Sequence, residues 1–165
     1  MNTTANGTTA AQVNNNNREN QNAANMGASY NYNGTAFKMS ATFKGYKSGV
    51  FGDNMTRPHF IVSIRTEDGN RTRFNFYGSF NDYQKGKKEM NRDDLRDALE
   101  CFLSDGLSYD NAADFADFCA EFGYDEASEG RARRAFNGCK RHHEAAARLF
   151  GNNYAEILNE INDEQ

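Results

Sequence analysis

Apolar and polar side chains alternate strictly from Phe37 to Lys44, with Phe37, Met39, Ala41 and Phe43 on one face and Lys38, Ser40, Thr42 and Lys44 on the other. A period of two predicts a strand with one buried and one wet side. The run 59–66 places Phe60, Val62 and Ile64 together, and the run 71–78 places Phe74 and Phe76 together. Three strands are therefore expected at about 36–44, 59–66 and 71–78.

The link between the last two sets their register. A two-residue loop at Asp68-Gly69 would pair Val62 with Asn75 and turn Phe74 and Phe76 to the wrong side of the sheet. A three-residue loop, Glu67-Asp68-Gly69, pairs Phe60 with Phe76 and Val62 with Phe74. It also puts Gly69 where a type I turn followed by a bulge needs a left-handed residue. The bulged hairpin is predicted, with Pro58, the only proline, at the start of its first strand, where a missing N–H does least harm.

After Asn91 the period changes. Leu95, Ala98, Leu99, Phe102 and Leu103 recur at helical spacing, with Asn91 as N-cap, Asp93 and Asp94 in the first turn, and Gly106 as the expected stop. Phe115, Phe118, Cys119 and Phe122 repeat the pattern behind Asp110 or Asn111 and ahead of Gly123. Ala132, Phe136, Cys139, Ala146 and Phe150 mark a longer helix ended by Gly151, and Tyr154, Ile157, Leu158 and Ile161 a short last one. Four helices are expected at about 92–105, 111–122, 127–149 and 152–162. A three-stranded antiparallel sheet has one apolar face to cover, so the expected fold is α+β, a single domain over 35–165.

The segment 1–34 is different in kind. It holds eleven Asn and only Arg18 and Glu19 as charges, too little apolar surface to offset the cost of ordering a backbone, about 1–2 kcal/mol per residue. A disordered Asn-rich arm is expected there, either a solubilising tail or a partner-binding arm using Tyr30 and Tyr32. It has neither a basic start nor a continuous apolar stretch, so a secretory signal is not expected, and no later segment reads as a membrane span. Cys101, Cys119 and Cys139, odd in number and all within predicted helices, agree with an intracellular protein.

The net charge of −4 hides segregation. Ten Lys/Arg face five Asp/Glu over 36–89, two face eleven over 90–126, and six face two over 127–150. Such blocks arise from solvated helix faces or from a polarised surface suited to a charged partner. Residue chemistry for catalysis is sparse. Cys139, with His142 at i+3 and His143 at i+4, could bring two ligands together on one helix, but there is no C-x-x-C pair and His59 is far away in sequence, and the carboxylates show no spacing that singles out a pair. No catalytic residue, metal or cofactor is expected.

The stretch Asp114-Phe115-Ala116-Asp117-Phe118-Cys119-Ala120-Glu121-Phe122-Gly123-Tyr124-Asp125, preceded by a hairpin ending Phe74-Asn75-Phe76-Tyr77-Gly78-Ser79, resembles a group of small, uncharacterised bacteriophage and prophage proteins with a D-F-x-x-F-C-x-E-F-G-Y-D motif. The likeness covers roughly 37–161. It implies a phage accessory protein in the cytoplasm of the bacterial host, acting by stoichiometric binding to a host or defence protein, for instance as an anti-CRISPR-type inhibitor. It implies no catalytic residue.

Two surfaces are candidates for that binding. An acidic one, Asp93, Asp97, Asp114, Asp117 and Glu121, would act as a nucleic-acid decoy. The other joins the Gly-punctuated loop 45–57, with Tyr46, Phe51 and Arg57, to a basic connector expected to be mobile, with Lys85, Lys87 and Lys88. A small nucleic-acid-binding protein using the basic third helix, Arg131, Arg133, Arg134, Lys140, Arg141 and Arg148, together with basic loops, is the alternative.

Overall fold

The computed structural model describes residues 27–125 and 129–164. Positions 1–26 of the expected arm, and the residues 127–128 expected to begin the third helix, lie outside the described residues. Four strands form an antiparallel sheet in the order β1-β2-β3-β4: β1 (Ala28–Tyr32), β2 (Thr35–Ser48), β3 (Thr56–Thr66) and β4 (Arg71–Tyr77). The sheet thus has four strands rather than three.

The extra strand lies in the expected arm, which corrects its boundary. Ala28, Tyr30 and Tyr32 are buried while Ser29 and Asn31 are exposed, the same period of two as in the predicted strands. Asn33 and Gly34 turn the chain back with φ of 51° and 75°, and positive φ at both central positions is the turn that suits the twist of a two-residue hairpin. Tyr30 donates to the Arg92 carbonyl at 2.6 Å, and its ring stacks on Phe37 at 5.6 Å. Both tyrosines are therefore committed to the interior.

The predicted register holds. Phe60 pairs with Phe76 and Val62 with Phe74, and Gly69 has φ 89° in a turn closed by the Thr66 N–H donating to Asn70 at 2.9 Å. On the other side of β3, Phe43 pairs with Phe60 and Tyr46 with Pro58, so β2 carries one residue more than β3 between these pairs. Gly45, with φ 101°, supplies the left-handed position such a bulge needs. Pro58 sits at this break in the ladder. Pairing then resumes through Lys47 with Arg57 and Ser48 with Thr56, so the expected loop 45–57 shrinks to the turn between Ser48 and Thr56.

Among the described residues there are five helices: α1 (Phe80–Gln84), α2 (Arg92–Asp110), α3 (Phe115–Phe122), α4 (Glu129–Phe150) and α5 (Ala155–Asp163). The segment expected as a mobile connector contains α1, which Ser79 caps by accepting from the Asp82 N–H while the Asp82 carboxylate accepts from the Ser79 N–H. Asn91 and Asp94 make the same reciprocal cap on α2; on α3 Asp114 accepts from the Asp117 N–H, while the Asp117 carboxylate accepts from the N–H of Ala113, one residue before the cap. That cap starts α3 at 115, later than the expected 111. Gly123 at φ 73° ends α3.

The described chain divides into two compact units, one of residues 27–30 and 36–98, the other of 31–35 and 99–164. In the first, Met39, Val62, Ile64 and Leu95 are fully buried. In the second, Phe102, Leu103, Tyr154, Ile157 and Ile161 fill the interior.

Gly106 is the clearest departure among the helix ends. It does not stop α2, which runs on to Asp110. It is buried, and a Cβ there would stand 2.8 Å from the Tyr154 hydroxyl and 3.2 Å from the His143 backbone. Its role is close approach of α2 to α4, not termination.

Candidate functional site

The turn between β2 and β3, together with α1, lies at one end of the first unit, and the expected binding residues Tyr46, Phe51 and Arg57 are in that turn or on the strands beside it. The Tyr46 ring lies edge-on to Tyr83 of α1 at 5.0 Å and to Phe43 at 5.2 Å. The Arg57 guanidinium covers the Phe51 ring at 4.9 Å, and Phe51 meets Tyr77 edge-on at 5.8 Å. Asp53 grips the Arg57 side chain at 3.0 Å and accepts the Met55 N–H at 3.0 Å. The Met55 N–H and then the Arg57 guanidinium hold its carboxyl below the usual range. Gly49 donates to the Met55 carbonyl at 3.1 Å and Gly52 to the Gly49 carbonyl at 3.2 Å, so the tip is ordered by its own backbone.

This end carries unusual surface. Tyr46, Phe51, Met55 and Tyr83 are four of the five large apolar side chains exposed among the described residues, and Phe51 is 55% exposed. Lys44, Lys47, Lys85 and Lys88 are exposed around them. Lys87 is instead committed to Asp94 at 2.8 Å.

The acidic set is divided between the two units. Asp93 and Asp97 belong to the first unit, and Asp114, Asp117 and Glu121 to the second. Asp114 and Asp117 are spent on the α3 cap, and Asp93 pairs with Arg96 at 2.9 Å. Asp97 lines a cleft of ≈ 270 Å³ together with Arg57 and Lys87, where acidic and basic candidates share one site. Desolvation, with Asp94 and Asp93 adding to it, raises the Asp97 carboxyl above its ordinary value.

In the second unit the histidines bridge α2 and α4. His142 Nδ1 is 3.2 Å from Asp105, and His143 lies between the Tyr154 hydroxyl at 2.9 Å and Asp110 at 3.7 Å. Burial, and then Asp110, pushes the Tyr154 phenol up, so it keeps its proton beside His143. Among the described residues no three His, Cys, Asp or Glu side chains are placed to hold a metal. On the basic α4, Arg131, Arg134, Lys140, Arg141 and Arg148 are exposed, while Arg133 covers the Phe115 ring at 3.7 Å.

The cysteines should separate by reactivity. Burial, aided by Asp105, raises the Cys139 thiol to about 11, which leaves roughly one part in a thousand as thiolate at pH 8. Cys119 is buried and Cys101 exposed. Iodoacetamide at pH 8, followed by peptide mass mapping, should label Cys101 first, with Cys139 and Cys119 at least tenfold slower.

No helix among the described residues is long and apolar enough to cross a membrane. Sequence reasoning missed α1 and its place beside Tyr46. The Ser79-x-x-Asp82 cap was the available signal, but five residues are too few to show a helical period. Comparison with protein-family models, curated proteins and solved structures finds no match to this chain.

Proposed function

We propose that this is a non-catalytic phage accessory protein that binds a host or defence protein stoichiometrically, in the cytoplasm of the bacterial host, through the aromatic and basic end formed by the β2–β3 turn and α1. The carrying observation is the concentration of exposed Tyr46, Phe51, Met55 and Tyr83 beside Arg57 and exposed lysines. Aromatic, Met and Arg side chains dominate interface centres, and an apolar cluster with a charged margin is the usual form of a docking patch. Because the turn and α1 are held by internal hydrogen bonds, little ordering entropy is lost on contact. The fitting partner has an apolar pocket with an acidic margin. The likeness to phage proteins in the motif 114–125 supports the choice of partner class.

An acidic decoy surface is the weaker reading. Its residues fall in two units, and Asp114 and Asp117 already satisfy backbone N–H groups. Charge reversal at those two positions would remove a cap worth about 0.5–2 kcal/mol, so lost binding would not report recognition.

Affinity capture from host lysate, with wild type and Tyr46→Ala/Phe51→Ala compared, tests the proposal. A protein retained at equal stoichiometry by wild type should be weakened more than tenfold by the double variant, with the melting temperature unchanged within a few degrees. Equal retention by both rejects this surface.

A further inference from the structure

We infer that the solvent face of the sheet, at the end carrying the β3–β4 turn, binds the phosphates of single-stranded nucleic acid. Register places Lys38 opposite Arg65 and Arg65 opposite Arg71, while Ser40 faces Ser63 and Ser63 faces Arg73. All four cations are exposed. Like charges directly opposed across a sheet destabilise it, and the outward positions of a one-sided sheet accept any polar residue. Folding gives no reason for Lys38, Arg65 and Arg73 in this row, whereas a polyanion does.

The cleft beside these strands, ≈ 580 Å³, is lined by the four cations with Ser40, Ser63 and Thr72, and by no carboxylate among the described residues. Glu67 of the following turn stands at the margin, in a separate cleft with Lys38 and Arg65. Asp68 is occupied by the Thr66 hydroxyl and by Asn70. The inference rests on Lys38, Arg65 and Arg73.

The same face explains the choice of a single strand. From Arg65 the outward positions of β3 continue through Ser63 and Ile61 to His59, about 20 Å along the strand. There the His59 ring stacks on Tyr77 at 4.7 Å and 17°, oriented by a 2.9 Å contact between its Nε2 and Asn75. Cations that track a backbone, with aromatic rings farther along the same face, fit the pattern of single-strand binding. Duplex readout instead needs a helix or ribbon that enters a groove. Tyr77 also meets Phe51, but the cationic row is at the far end of the sheet from Tyr46 and Phe51 and the test changes the row alone, so this inference and the proposed function fail separately.

Fluorescence anisotropy with a labelled 20-mer oligothymidylate tests it on the full chain. Wild type should bind at 50 mM salt and weaken about 20-fold by 200 mM, the slope for three phosphate contacts on a single strand. Lys38→Gln/Arg65→Gln/Arg73→Gln should bind at least tenfold more weakly at 50 mM and lose most of that salt dependence. It should melt no lower than wild type, because opposed charges have been removed. If it does melt lower, Arg65→Gln alone carries the comparison, with an expected severalfold loss. Arg134→Gln/Lys140→Gln/Arg141→Gln on α4 should bind as wild type does. Four results would overturn the inference: no binding by wild type at 50 mM, equal binding by the sheet variants, loss in the α4 variant instead, or tighter binding of a 20-base-pair duplex. Equal competition by polyglutamate at matched charge would also overturn it, in favour of acidic protein.

Discussion

Phe60→Ala should lower the free energy of unfolding by about 3–5 kcal/mol, the range for removing a fully buried aromatic ring. Phe60 is 1% exposed, pairs with Phe43 on one side and Phe76 on the other, and its ring lies 5.6 Å from that of Phe43. Deleting it leaves a cavity in the sheet's apolar face, and β3, held between β2 and β4, cannot move in to fill it. The neighbour Ile61 points the opposite way and is only half-buried, so Ile61→Ala should cost no more than about 1 kcal/mol. Urea denaturation followed by circular dichroism reads both values. Because a slip of one residue would exchange the two environments, the ordering of the pair reports the register itself.

Gly106→Ala should destabilise by about 2–3 kcal/mol, although alanine is the better helix former by about 1 kcal/mol. The added Cβ would meet the Tyr154 hydroxyl at 2.8 Å, and that side chain is 1% exposed with nowhere to swing. It would also meet the His143 backbone at 3.2 Å, so relief requires α2 to move from α4. Tyr154→Phe removes the nearest obstructing atom but leaves His143 Nδ1 without its hydrogen-bond partner, a loss of about 1–3 kcal/mol. The double variant should therefore be less destabilised than the sum of the two singles by more than about 0.5 kcal/mol. Additive effects, or an alanine variant as stable as wild type, would show that Gly106 is a tolerated helix residue without a packing role.

The sheet was legible where chemistry and periodicity agreed. In the β3–β4 hairpin the alternating apolar positions allowed only one loop length, and Gly69 satisfied it. β1 was missed although Ala28, Tyr30 and Tyr32 alternate and Asn33-Gly34 is a strong hairpin signal, because the Asn-rich composition before it outweighed a five-residue pattern. Gly106 was misread because a glycine within a helical period carries the same letter whether it ends a helix or admits a neighbour. Only the tertiary approach of α4 decides between these.

The candidate surfaces were legible as residue types but not as places. The aromatics between Tyr46 and Phe51 were visible in the chain, whereas their union with Tyr83 depends on the bulge at Gly45 and the cap at Ser79. The acidic residues looked continuous along the sequence because helix caps, which consume Asp114 and Asp117, leave the charge count unchanged. The cationic row on the sheet was hidden for a related reason. Lys38 is far from Arg65 and Arg73 in sequence, and the three meet only through the register of three strands.

The proposed docking surface is tested most directly by photo-crosslinking in host cells. A benzoylphenylalanine placed at position 51 should capture one host protein as a single covalent adduct, and the same probe at position 121 should capture none. An adduct formed from position 121 and absent from position 51 would contradict the account and move recognition to the acidic helix.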